Sequence, residues 1–91
     1  MSDHLQEKSE QGSVIVAVQC KMARAATSLG VRELSELSGV STDTIVRFER
    51  GEILRPRTIE AIRTALETAG VIFIQQNGDG PGVRLRKDGE A

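Results

Sequence analysis

Aromatic residues are almost missing from this 91-residue chain: Phe48 and Phe73 are the only two, with no Trp or Tyr. That disfavours ligand pockets lined by aromatic rings and nucleic-acid recognition that stacks bases on aromatic side chains. Cysteine is as scarce. Cys20, the single one, excludes an intramolecular disulfide and a multi-cysteine zinc site, and reads as a small buried hydrophobe or a half-exposed thiol. Long apolar runs are lacking too. Val14–Val18 is far too short to span a bilayer, and no basic segment of signal-peptide type precedes it. The expectation is a cytoplasmic protein that does not engage a membrane. His4 has no ligand-type neighbour, and the Gly78–Gly82 run precedes a strand where a phosphate cradle needs a helix. No nucleophile–base set and no paired carboxylates can be assembled. The reading is a non-enzyme with no metal and no cofactor.

What is present is a globular balance, 38% hydrophobic and 27% charged, at the length of one small domain. A core this small is marginal alone, so burial against a second copy is an early expectation. The net charge is −1. Residues 1–12 and 88–91 carry −2 each, which leaves 13–87 at +3. The folded part is therefore mildly basic, with the acidity at the ends.

The chain divides at its composition shifts. Residues 1–12 read as a mobile polar tail. Ile15, Val18, Met22, Ala25 and Leu29 then fall at steps of three and four, which predicts one helix with Ser13 as its N-cap. A second helix spans Val31 to Ser38, with Leu34 and Leu37 inward. Gly39 suits a left-handed C-terminal position and Ser41 an N-cap, so a third helix runs from Thr42 to Arg50, burying Ile45 and Phe48. Gly51 ends it. Pro56 opens a fourth helix, Arg57 to Ala69, with Ile59, Ile62, Leu66 and Ala69 on one stripe. The period then changes: Val71–Ile74 is a β-branched and aromatic run, Asn77–Gly82 is turn chemistry, and Val83–Lys87 alternates apolar with basic. That is a β-hairpin. The fold expected is mainly α, four helices over 13–70 followed by a hairpin over 71–87.

Two short helices joined by a glycine-containing turn form the unit that sets its second helix in the DNA major groove. The stretch from Val31 to Gly51, above all Gly39-Val40-Ser41, Ile45 and Phe48-Glu49-Arg50-Gly51, resembles the Cro/C1-type helix-turn-helix regulators, the XRE family. Arg55-Pro56-Arg57-Thr58 and the following helix fit as well, so the resemblance covers residues 15–69. The hairpin looks like the C-terminal extension of small bacterial members. Val31 stands where many members carry Gln, and Gly30 where Ser or Thr is usual.

The resemblance places base contacts at Thr42, Asp43 and Arg47. Chemistry agrees for Arg47, whose guanidinium can donate two bonds to guanine O6 and N7. Asp43 stays open between accepting from cytosine and serving the dipole of its own helix. Ser41 and Arg32 match phosphate-touching positions, and Arg50, Arg55 and Arg57 look like backbone clamps. On an isolated helix, Arg32, Arg47 and Arg50 would read as a solvated face beside Glu33, Glu36 and Glu49. The turn spacing and the family string move Arg47 to DNA. Lys21 and Arg63 are read as solvated, with Arg24 between the two readings.

Val71, Ile72, Phe73 and Ile74 offer apolar side chains on both faces of a strand, more than one helix layer can cover. With Val83 and Leu85 they are the candidate dimer interface. Arg84, Arg86 and Lys87 are expected on a solvated face. A homodimer would read two half-sites about 34 Å apart, an inverted-repeat operator. The leading expectation is thus a DNA-binding repressor or autoregulator of double-stranded DNA. Its rival is a protein-interaction module of antitoxin or anti-activator type, with residual DNA binding.

Overall fold

A computed structural model describes residues 14–75 and 79–87. These form four helices, α1 (Ala17–Thr27), α2 (Val31–Ser38), α3 (Thr42–Glu49) and α4 (Pro56–Thr68), followed by an antiparallel hairpin of β1 (Val71–Ile74) and β2 (Gly82–Leu85). The mainly α fold with a C-terminal hairpin is as the sequence predicts. Ser13, Asn77, Gly78 and the acidic segments 1–12 and 88–91 lie outside the described residues.

Local chemistry sets most boundaries. Gly39 closes α2 in the left-handed region at φ 77°, and Ser41 Oγ caps α3 by accepting from the Thr44 N–H at 3.1 Å. Gly51, at φ 99°, turns the chain out of α3. Pro56 is the first residue of α4, where its missing N–H is no loss. At the start of α2, the Gly30 N–H donates to the Glu33 carboxylate at 2.9 Å. A side chain one turn inside the helix therefore satisfies a donor at its start.

The core is built from Ile15, Cys20, Ala23, Leu34, Ile45, Phe48, Ile62, Ala65, Leu66 and Val71, drawn from every helix and from β1. Burying each larger aliphatic side chain here stabilises by roughly 1.5–3 kcal/mol. Antiparallel pairing sets Val71 opposite Leu85 and Phe73 opposite Val83, so these four share a face. Val71, Phe73 and Val83 pack on the helices from that face, while Ile72, Ile74 and Arg84 lie on the other.

Several predicted orientations differ. Leu37 is 58% exposed rather than inward, because the inner side of α2 runs through Val31, Leu34, Ser35 and Ser38. On α1 the buried side runs through Gln19, Cys20 and Ala23, leaving Val18 and Ala25 exposed. Gln19 is drawn in by hydrogen bonds: its amide donates to the carbonyls of Ile74 and Gly82, both at 3.0 Å, and accepts from the Val16 N–H. It fastens the start of α1 to the hairpin. Ala69 lies just past the end of α4 and is exposed, and Ala65 takes the inner position. Arg63 and Arg86 are partly buried and engaged instead of lying free on a solvated face. Arg63 lies 5.3 Å from the Phe73 ring centroid and binds Glu67 at 2.8 Å, and Arg86 donates to the Glu67 carbonyl at 2.7 Å.

Candidate nucleic-acid interface

Helix α3 has two sides of opposite character. Ile45, Phe48 and Glu49 are buried, whereas Thr42, Asp43 and Arg50 are exposed and Arg47 is half-exposed. The helix is held at its inner end by Glu49. Arg24 on α1 grips that carboxylate with two 2.8 Å bonds, Nε to Oε2 and Nη2 to Oε1, and its Nη1 donates to the Leu29 carbonyl at 3.2 Å. This bidentate pair joins α1, the α1–α2 connection and α3. Burial pushes the Glu49 carboxyl up, but hydrogen bonds from Arg24 and Cys20 and the charge of Arg24 outweigh it. The group is held below the ordinary carboxylate value. Cys20, fully buried, is pushed far up by that burial and then by its hydrogen bond to Glu49, so its thiol stays protonated.

Of the residues expected at bases, Thr42, Asp43 and Arg47 all lie on the outward side of α3 or its first turn. Arg47 is already engaged. Its Nε donates to Glu52 Oε1 at 2.9 Å and its Nη1 to Asp43 Oδ2 at 3.4 Å. These bonds, that to Glu52 first, raise the guanidinium above its ordinary value. Ser41 spends its hydroxyl within the helix start, donating to Thr44 Oγ1 at 2.8 Å.

The expected phosphate contacts fall in two places. Arg55 shares a recess of about 310 Å³ with Thr44, Arg47, Ile53, Leu54 and Thr58. Arg57 instead lines a groove of about 640 Å³ with Leu37, Ser38 and Glu60, along α4. Arg32 and Arg50 are exposed. No ion pair of Arg32, Arg50, Arg55 or Arg57 is present among the described residues. The arrangement brings together Arg47 and Arg55, with Ile53 between them on a loop tip and 96% exposed.

Among the residues named for a dimer interface, Val71 is 1% exposed and belongs to the chain's own core, so it has no area left for a partner in this conformation. Ile72, Phe73 and Val83 are partly covered, and Ile74 and Leu85 are the exposed ones. No helix among the described residues is long and apolar enough to cross a membrane.

Two features escaped the sequence reading. Glu52 was in no candidate set, although it sits five residues after Arg47 in the connection that follows α3. The Arg24–Glu49 pair was also missed. Its signal was present, since Glu49 follows Ile45 by four and Phe48 by one, on the apolar side of α3, where a carboxylate needs a cation. A scan against models of protein families finds no match to this sequence, and a search of curated proteins finds none either.

Proposed function

We propose that the protein is a sequence-specific DNA-binding transcriptional regulator of the Cro/C1 helix-turn-helix type, a repressor or autoregulator. It acts as a homodimer on an inverted-repeat operator, with α3 in the major groove. The observation that carries this reading is the division of α3: one side fixed in the core, the other presenting Thr42, Asp43 and Arg47 beside the basic loop of Arg55. A groove about 12 Å wide admits such a helix. Arg47 reads guanine, Arg32, Arg50 and Arg55 meet phosphates, and Ile74 and Leu85 supply the exposed apolar contacts of the dimer.

A specific observation favours the rival, a protein-interaction module. Asp43 and Glu52 set two carboxylates on the face that would meet phosphate. Selection from a pool of randomised duplexes by the purified protein separates the two. The DNA reading expects an enriched inverted repeat, bound with an affinity that falls steeply between about 50 and 200 mM salt. A pool without enrichment would overturn it in favour of the rival.

A further inference from the structure

The two carboxylates on Arg47 hold it differently. Asp43 is one turn earlier on α3, its side chain is 79% exposed, and its 3.4 Å contact is long for a charged hydrogen bond. Glu52 is tied to Arg47 twice. Besides the 2.9 Å side-chain bond, its backbone N–H donates to the Arg47 carbonyl at 3.1 Å, closing the turn through Gly51. A carboxylate whose own backbone is anchored to the residue it grips loses less freedom in gripping it than two long side chains meeting freely.

The choice of nitrogen matters for recognition. A guanidinium can present a side edge, built on Nε, or its far end, Nη1 and Nη2. With Nε given to Glu52, the far end is what faces a guanine, and two of the five donors being engaged still leaves a bidentate pair. Charge matters as well. The Arg47 guanidinium keeps its charge, but together with the Glu52 carboxylate its net charge is close to zero, so the pair gains little by settling on a phosphate and releasing counterions.

We infer that Glu52 is the positioning residue of the recognition helix. It aims the Arg47 fork end-on at the major-groove edge of a guanine and withholds it from phosphates. The inference rests on the DNA-binding reading above. It makes sequence discrimination a property of the Arg47–Glu52 pair, while affinity comes from Arg32, Arg50 and Arg55, which form no ion pair among the described residues.

The test compares wild type, E52A, E52Q and Arg47→Ala on three duplexes. These are the one the wild type selects, the same one with the Arg47-assigned guanine changed to adenine, and a random sequence. Thermal unfolding runs alongside. The expected result for E52A is about a tenfold loss of guanine-over-adenine discrimination, a gain in affinity for random duplex and an unchanged melting temperature. E52Q, which keeps an acceptor but no charge, should gain on random duplex and keep more of the discrimination. If Arg47→Ala abolishes discrimination while E52A and E52Q match wild type, the positioning role is wrong and the DNA reading stands. A wild type that selects no sequence removes both. Equal weakening of E52A on all three duplexes, together with a lower melting temperature, would reduce Glu52 to a structural role and overturn the inference.

Discussion

Helix α3 is flanked by two arginine–carboxylate pairs of the same chemistry and opposite setting. At its inner end Arg24 and Glu49 meet with side chains 23% and 8% exposed; on its outer side Arg47 and Glu52 meet at 43% and 49%. The inner pair is bidentate and spans two helices, and neither partner can leave without stranding a charge in the core. The outer pair lies half in water and contributes little to folding stability, so losing either partner costs the fold little. Burial, not the type of contact, decides which pair serves the fold and which is free to serve a ligand.

The largest effect should come from the inner pair. Arg24→Ala leaves Glu49 buried without its cation and is expected to destabilise by about 3–5 kcal/mol. At several degrees per kcal/mol for a domain of this size, that is a fall in melting temperature of well over ten degrees. A loss below about 1 kcal/mol would erase the distinction between the pairs.

Next is Gln19→Leu, which deprives the Ile74 and Gly82 carbonyls of their shared donor. It should cost about 1–3 kcal/mol in urea unfolding and speed amide exchange at the hairpin before that of α3 and α4.

The pH dependence follows from Glu49. Its folded value lies below its unfolded one, so its contribution is full above the ordinary glutamate value of about 4.3 and is lost as pH falls through the folded value. Urea midpoints should therefore drop in the acid range, and Glu49→Gln should flatten that drop. A variant as acid-sensitive as wild type would place the titrating group elsewhere.

What the sequence made legible was local. Gly39, Ser41, Gly51 and Pro56 act within a few residues of themselves, and each marks an element boundary where it was expected. The hairpin followed from its change of period. Side-chain direction was less legible wherever a distant segment decides it. Gln19 points inward because carbonyls 55 and 63 residues away accept from it. Leu37 points outward because α2 is only eight residues long and its inner side is already filled by Val31, Leu34, Ser35 and Ser38. At the candidate site, Thr42, Asp43 and Arg47 were singled out by the family resemblance, and they lie on the outward side of α3 or in its first turn. The engagement of Arg47 was not legible, because Glu52 reaches it only through the turn that Gly51 makes.

The smallest expected effect on stability is also the most informative about function. Arg47→Ala removes only a half-exposed side chain, so its unfolding free energy should stay within about 0.5 kcal/mol of wild type. Its affinity for the selected duplex should fall by 1–3 kcal/mol, about 5- to 150-fold, with the loss confined to one base position in each half-site. Measuring both quantities on the same preparation is the direct comparison. Unchanged stability with lost discrimination is the predicted result; unchanged stability with undiminished binding would contradict the assignment of α3 as the recognition helix.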